Sequence, residues 1–189
     1  VPTLAELAER LQRVGRSVQS PDIPGYSVIK DLCTVLYTAD ERTASGDPVS
    51  YIPVAELDKA GIVKAGFEHY ERFVIAGWVL RALELDDLTR RQGRLCWLFN
   101  VIDVRGVGMA NLACRDFDKQ AERMMLRLER LVPDLTGENW VINAPWFVYK
   151  LFPWAKSLLR IKIDNWFICG QDAPPELLRQ LGAEQLTRL

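Results

Sequence analysis

The chain has 189 residues, of which 49% are hydrophobic, and its formal net charge is -1 at pH 7. This length suits a single domain with a sizeable apolar core, and the charge argues against nucleic acid as a partner. No apolar run reaches the ~18 residues that a membrane-spanning helix needs. Four scattered cysteines without a CxxC pair predict reduced, buried thiols in a cytosolic protein rather than a disulfide framework.

The first half of the chain predicts two helices separated by a β-hairpin. Residues 3–18 carry leucine and alanine at helical spacing, which predicts an amphipathic helix. Residues 35–38 and 49–54 predict the two strands of the hairpin, joined by a polar, turn-rich connection. Pro53 cannot donate a ladder hydrogen bond, so it places the second strand near an edge or at a strand end. Residues 67–85 carry large apolar side chains at helical spacing and predict the second helix.

The second half of the chain alternates between strands and helices. Residues 95–104 are nearly all apolar, as in a parallel strand that is buried on both faces. Residues 112–132 predict a long amphipathic helix that Pro133 closes. Strands at 140–143 and 161–169 follow, and then a short terminal helix. This alternation predicts an α/β fold with mainly parallel strands.

Residues 146–159 form the most unusual segment of the sequence. Between Trp146 and Trp154 only Lys150 and Pro153 are not large apolar residues, so apolar side chains cover most of the helix circumference. The proline removes one helical hydrogen bond and predicts a kink. Two interpretations stay open. The segment is either a core helix with a proline kink, or a lid with one face on the protein and the other on an apolar ligand or a membrane.

Motifs for catalysis are scarce in this chain. Gly106, Gly108 and Asn111 follow a predicted strand and form an incomplete dinucleotide-binding fingerprint, for which a plain strand-to-helix turn is the better interpretation. The chain lacks GxSxG, HExxH and P-loop patterns, and its single histidine is His69. The sequence therefore predicts a protein that is not an enzyme and that uses no metal or cofactor.

Three segments of the second half carry a family resemblance. Residues 100–106 read Asn-Val-Ile-Asp-Val-Arg-Gly, residues 131–133 read Leu-Val-Pro, and residues 140–146 read Trp-Val-Ile-Asn-Ala-Pro-Trp. In order and spacing they resemble the CRAL-TRIO lipid-binding domain, which retinaldehyde-binding, tocopherol-transfer and phosphatidylinositol/phosphatidylcholine-transfer proteins share. The resemblance covers residues 46–189 and leaves residues 1–45 as an N-terminal helix and the start of the hairpin.

The resemblance implies a mixed, mostly parallel β-sheet with helices on one side and an apolar lipid pocket covered by a gate helix. It also implies binding of a single hydrophobic ligand, which is exchanged at membranes. The expected ligand is a phospholipid with a phosphoinositide-type or other anionic head group. We expect a cytoplasmic monomer that associates with membranes peripherally and transiently. The alternative is a lipid-regulated adaptor or interaction module without transfer activity.

The resemblance further implies which residues contact the lipid. Phosphoinositide-transferring members contact the head-group phosphate through a gate-helix lysine, and the matching position is Lys156. Their glutamate on the preceding helix is matched by Arg123, beside Glu122. The strand hydroxyls that the family links to phosphatidylcholine are matched by Leu98 and Asn100. The expected pocket and gate residues are Trp146, Phe147, Tyr149, Leu151, Phe152, Trp154, Leu98, Tyr70, Val74 and Trp78. The residues expected to dock on anionic membranes are Lys150, Arg160 and Lys162.

Overall fold

A computed structural model describes most of the chain between residues 22 and 181. Its described ranges are 22–33, 36–108, 114–132, 134–148, 165–170 and 174–181, with the backbone alone at 36–41. The helix predicted at residues 3–18 lies outside these ranges, and so does most of the segment 146–159. Only residues 146–148 of that segment are described, so both of its interpretations stay open.

The described residues form short and long helices around one sheet. The helices are α1 (Tyr26–Ile29), α2 (Lys59–Ala65), α3 (Phe67–Gln92), α4 (Arg115–Leu131) and α5 (Pro175–Leu181). The strands are β1 (Leu36–Arg42), β2 (Pro48–Pro53), β3 (Leu98–Asp103), β4 (Thr136–Ile142) and β5 (Trp166–Ile168). A 3₁₀ turn (Val54–Glu56) follows β2, and residues 146–148 are helical. None of the helices in these ranges is long and apolar enough to cross a bilayer.

Strands β1 to β5 lie in the sheet in chain order. β1 pairs antiparallel with β2, which confirms the predicted hairpin, and each later strand lies parallel to the one before it. Pro53 is the last residue of β2, so its missing N–H falls at a strand end, as predicted. Parallel neighbours need crossover connections, which α2 with α3 and then α4 provide. The mixed, mostly parallel α/β fold is confirmed.

Strand β3 is buried on both faces, as its apolar run predicts. Leu98 packs in a helix-side cluster with side chains of α1, α2, α3 and α4. Phe99 and Val101 pack in an α5-side cluster with side chains of β2, β4 and α5. Successive side chains of a strand point to opposite faces, which explains this division. The sheet therefore separates two apolar clusters, one under each layer of helices.

Helix α3 extends beyond its predicted end. The added residues lack an apolar stripe, and they are held by the i,i+4 ion pairs Asp86–Arg90 and Asp87–Arg91. Gly93 then ends the helix in the left-handed conformation, with φ at 63°. The prediction stopped early because it followed hydrophobic periodicity, which the ion-paired residues do not show.

Strand β4 starts at Thr136 and not at 140 as predicted. Its early residues are polar, and one of them, Asn139, belongs to a row of hydrogen-bonded side chains across β2, β3 and β4, called here the polar ladder. Ser50 Oγ donates to Asn100 Oδ1 at 2.5 Å, and Asn100 Nδ2 donates to Asn139 Oδ1 at 2.9 Å. All three side chains are buried on the helix-side face. A buried amide needs partners of this kind, so the ladder makes these polar residues compatible with a core strand.

We expect Ser50→Ala and Asn100→Ala to be energetically coupled. Each substitution leaves a buried group of the ladder without its partner, and the double variant removes both ends of one hydrogen bond. A double-mutant cycle by urea unfolding at pH 7 therefore gives a coupling free energy of about 1 kcal/mol. Strictly additive losses in the free energy of unfolding would show that this hydrogen bond does not stabilise the sheet.

Candidate functional site

One face of the sheet presents a continuous apolar surface below α5. Its buried side chains are Val49 and Tyr51 of β2, Phe99 and Val101 of β3, and Trp140 of β4. The register pairs Tyr51 with Val101 and Val101 with Trp140, so these three residues lie side by side across the sheet. Leu177 and Leu181 of α5 pack on this surface and cover part of it.

A cavity of about 1040 Å³ opens beside this surface, between β5 and α5. Its described lining consists of Ala44, Glu138, Trp140, Trp166, Phe167, Ile168, Cys169, Gly170, Pro174, Glu176, Arg179 and Gln180. The rings of Trp140 and Phe167 stack in this lining, with their centroids 4.5 Å apart. Sites for small molecules usually measure ~300–1,000 Å³. The cavity, which is open on one side, therefore lies at the upper end of this range.

Backbone hydrogen bonds hold the two walls of the cavity. The N–H of Cys169 donates to the carbonyl of Val141 at 2.9 Å and fixes the end of β5 on β4. The N–H of Ala44, in the turn between β1 and β2, donates to the carbonyl of Gln180 at 2.8 Å and fixes α5. One wall of the cavity, β5, is thus bonded to the neighbouring strand β4. The other wall, α5, is bonded to the turn of the β1–β2 hairpin.

Asp103 forms a polar cluster at the carboxyl end of β3. Tyr51 Oη donates to Asp103 Oδ2 at 2.6 Å, and Asn143 Nδ2 donates to Oδ1 at 2.9 Å. The backbone N–H of Arg105 donates to Oδ1 at 2.8 Å, and its Nη2 lies 3.4 Å from Oδ2. Asp103 is only 4% exposed. Both of its oxygens are therefore engaged by groups of the protein itself.

These contacts determine the protonation of the cluster. Burial by itself raises the pKa of Asp103, but hydrogen bonds from Tyr51, Asn143 and the Arg105 N–H, with the charge of Arg105, bring this pKa below its ordinary value. Burial, followed by the hydrogen bond and the charge of Asp103, raises the pKa of Tyr51. Asp103 is thus a carboxylate and Tyr51 a neutral donor near pH 7. Because its oxygens are occupied, Asp103 acts as a structural group and not as a general base.

The thiols are also poor candidates for chemistry. Burial raises the pKa of Cys169, which borders the cavity, and raises the pKa of Cys33 to about 12. A thiol that stays protonated is a weak nucleophile. Cys33, Cys96 and Cys169 are buried, which confirms the prediction for them, whereas Cys114 is partly exposed. Within the described ranges, no group of three or more His, Cys, Asp or Glu side chains is placed to hold a metal ion.

The turn after β4 leads into the segment that the sequence identifies as a gate. Asn143 has a left-handed backbone, with φ at 56°. Its N–H and that of Ala144 each donate to a carbonyl at the end of β5, both at 3.0 Å. Residues 146–148 then form a helical turn in which Trp146 is 76% exposed. Asp103, through Asn143, and the end of β5 therefore anchor the chain where the predicted gate begins.

The predicted lipid contacts that the structure describes lie mostly on the other side of the sheet. Those packed in or against the helix-side cluster are Leu98, Tyr70, Val74 and Trp78. Asn100 lies in the buried ladder on the same face. Glu122 and Arg123 are exposed on α4, whose buried side chains join the helix-side cluster. The structure does not bring these residues together with the described lining of the large cavity.

The other predicted site residues lie at or beyond the border of the described ranges. Trp146 and Phe147 are described, and their rings meet edge to face with centroids 6.2 Å apart. Outside the described residues lie Tyr149, Leu151, Phe152, Trp154, Lys156, Lys150, Arg160 and Lys162. Their roles as gate, head-group and docking residues stay predictions.

Several residues of the site carry no sequence signal. Glu138, Phe167 and Arg179 line the cavity only because β4, β5 and α5 meet there. Asp103 and Asn143 belong to segments that the family resemblance singled out, but their mutual hydrogen bond was not foreseen. The sequence feature that points to Asp103 is its position as a lone acid at the end of an apolar strand, because a buried charge needs hydrogen-bond or ionic partners.

The chain is similar to known proteins in a family profile and in one solved structure. The profile of the CRAL/TRIO domain family matches residues 33–188. The crystal structure of Sfh5 is similar, with a TM-score of 0.54 and 12% sequence identity over 87% of this chain. The chain spans 58% of the length of that Sfh5 chain. A search of curated proteins found no match.

We expect Asp103→Asn to lower the free energy of unfolding at pH 7 by about 2 kcal/mol, because the amide cannot replace a carboxylate that accepts from several donors. Since the pKa of Asp103 is lowered in the folded protein, its contribution is complete above the unfolded value of about 4 and is lost as the pH falls through the folded value. The difference between wild type and variant therefore narrows below about pH 4.

Urea unfolding at a series of pH values measures this difference. Asp116→Asn is the matched control, because Asp116 is exposed on α4 and its substitution changes the free energy of unfolding little. A gap between Asp103→Asn and wild type that stays constant from pH 7 to about pH 3 would contradict a stabilising carboxylate at position 103.

Proposed function

Because the chain belongs to the CRAL/TRIO domain family, whose domains bind and transfer lipids, we propose that it takes up one hydrophobic ligand of phospholipid size and exchanges it at membranes. The observation that carries this proposal is the cavity of about 1040 Å³ beside a sheet face of buried apolar side chains. The acyl chains occupy this cavity, between β5 and α5.

The physical task of such a carrier is to spare the lipid a passage through water. Moving an acyl chain from a bilayer into water costs about 0.8 kcal/mol per methylene, so a two-chain lipid costs of the order of 20 kcal/mol. A cavity lined by the rings of Trp140 and Phe167 and by the Ile168 side chain replaces the hydrocarbon that the chains leave. The lipid then crosses between membranes without exposing its chains.

We propose that the protein touches the membrane with the turn at residues 146–148. Trp146 is exposed there although it is large and apolar, and tryptophan is favoured at the level of the lipid head groups. The turn is held on the sheet by Asn143, whose side chain donates to Asp103 and whose N–H donates to the carbonyl of Gly170 in the cavity lining, so the chain that leads to Trp146 starts beside the cavity. Association of this kind is peripheral and transient, and suits a cytoplasmic protein.

The proposal includes no chemical change of the lipid. The oxygens of Asp103 already accept hydrogen bonds, and the Cys169 thiol beside the cavity is protonated near pH 7. Both groups are therefore unsuited to act as a base or a nucleophile. The role of the site is to shelter a ligand and to release it.

The expectation of an anionic head group stays a prediction. It depends on Lys156, which lies outside the described residues, and on Arg123, which is exposed on α4. The described lining of the cavity contains one basic side chain, Arg179, which pairs with Glu176. Support for an anionic head group therefore comes from the family resemblance alone.

A substitution at Gly170 tests the cavity directly. Gly170 belongs to the lining, and a Cβ added there meets no atom within 4 Å. Gly170→Trp therefore adds a large ring at the lining without a clash at its Cβ, and Gly170→Ala is the matched control. We expect Gly170→Trp to lower lipid uptake from mixed vesicles by about tenfold or more, and Gly170→Ala to keep it. Native mass spectrometry measures uptake, and transfer of a fluorescent phospholipid between vesicles measures exchange.

The two variants separate the possible outcomes. Equal uptake by Gly170→Trp and Gly170→Ala would show that the ligand does not occupy this cavity. A wild-type protein that acquires no lipid from any vesicle would instead favour an interaction module without transfer activity.

A further inference from the structure

The side of α4 that faces away from the sheet carries a row of basic side chains. Arg115, Lys119 and Arg123 follow one another at a spacing of four residues, which places them on one side of the helix. Arg130 comes seven residues after Arg123 and so lies on the same side. All four side chains are exposed to solvent. They form a basic surface on the helix, called here the basic row.

The acids of α4 do not neutralise the basic row. Asp118, Glu122 and Glu129 share a neighbouring side of the helix, and only Asp116 lies among the bases. Asp118 pairs instead with Lys59 of α2 at 2.9 Å. None of the four bases of the row forms an ion pair with any side chain in the described ranges. Their charge is therefore open to a partner from outside the domain.

Like charges at a spacing of four residues repel one another on a helix. The basic row contains two such pairs, Arg115–Lys119 and Lys119–Arg123. The exposed end of α3 has the opposite arrangement, since Asp86 and Arg90 form an ion pair at the same spacing. The charges of α3 thus stabilise their own helix, whereas the repulsion along α4 is relieved when a negatively charged partner binds.

An apolar side chain lies within the basic row. Leu126 is 55% exposed, and its neighbours on the helix surface are Arg123, three residues before it, and Arg130, four residues after it. Three of the four bases of the row are arginine, which is enriched in protein interfaces, while lysine is depleted there. An exposed leucine between arginines therefore favours a protein as the partner.

The position of α4 in the fold also favours a protein over a membrane. The buried side of α4 packs on the helix-side cluster through Phe117, Met124 and Leu128. The large cavity lies on the other face of the sheet, between β5 and α5. A bilayer against the basic row would therefore lie on the opposite side of the molecule from the cavity. A protein bound to the row leaves the cavity accessible.

We propose that the basic row is a docking surface for an acidic segment of another protein. Carboxylates of the segment pair with the four bases, and an apolar side chain of the segment packs on Leu126. Because the row and the cavity lie on different faces of the sheet, the inference does not depend on lipid uptake.

Selection from a display library of random peptides tests the inference without a prior choice of charge. We expect the enriched peptides to carry several aspartates or glutamates around an apolar residue. Their affinity should fall as the salt concentration rises, because exposed ion pairs are screened. The strongest selected peptide is then synthesised, and isothermal titration calorimetry measures its binding to wild type and variants.

Two variants separate the charge of the row from its apolar centre. Lys119→Glu reverses the central charge, and Leu126→Ala removes the exposed apolar side chain while keeping a residue that favours helix. We expect each to weaken binding of the peptide by about tenfold or more. Lys64→Glu is the matched control, because Lys64 is exposed on α2 and away from the row. It is expected to keep the wild-type affinity.

Lys119→Glu also distinguishes docking from a structural role. The substitution turns two repelling pairs into attractive ones, so the midpoint temperature of thermal unfolding is expected to equal or exceed that of wild type. Loss of peptide binding in this variant then cannot come from unfolding. Lipid uptake by the same variant, measured by native mass spectrometry, reports on the proposed function separately and is expected to be unchanged.

Each other outcome overturns the inference. Enrichment of no peptide, or of peptides without an excess of acids, shows that the row does not select an acidic segment. Peptide binding that Lys119→Glu and Leu126→Ala both keep places the binding site elsewhere. Binding to phosphatidylserine vesicles that Lys119→Glu abolishes, without any acidic peptide being selected, identifies the row as a membrane surface.

Discussion

The structure depends on the burial of strand β3 on both of its faces. Leu98 packs under the helices, Phe99 and Val101 pack under α5, and the polar residues Asn100 and Asp103 occur in the same strand. An unpaired buried polar group costs about 1–3 kcal/mol. The strand is therefore compatible with a core only because the ladder satisfies Asn100 and the cluster at the strand end satisfies Asp103.

Two carboxylates on the α5-side face differ in the hydrogen bonds that they accept. Asp103, at the carboxyl end of the strands, accepts from Tyr51, Asn143 and the Arg105 backbone. Both of its oxygens accept hydrogen bonds, and the bond from Asn143 fixes the turn that leads to Trp146. Glu138, near the amino end of β4, accepts from Trp140 and has no basic partner within the described part of the chain.

Much of the fold follows from patterns that the sequence contains. The hairpin, the doubly buried strand β3, the amphipathic helix α4 and the parallel order of β2 to β5 are all confirmed. The predicted end of α3 and the predicted start of β4 are wrong for the same reason. Hydrophobic periodicity identifies buried apolar residues, whereas these residues are stabilised by polar contacts. The end of α3 is held by surface ion pairs, and the start of β4 includes an amide that accepts from Asn100.

The sequence by itself determined the fold class and the family resemblance, because apolar periodicity and short motifs are local. Only the tertiary structure decided which polar groups face the large cavity. Glu138, Phe167 and Arg179 belong to three different elements and become neighbours through strand pairing and helix packing. Arg123, which the family resemblance assigned to the ligand, is exposed on α4, and its role stays a prediction. Side-chain direction depends on register and packing, and neither can be read from spacing along one chain.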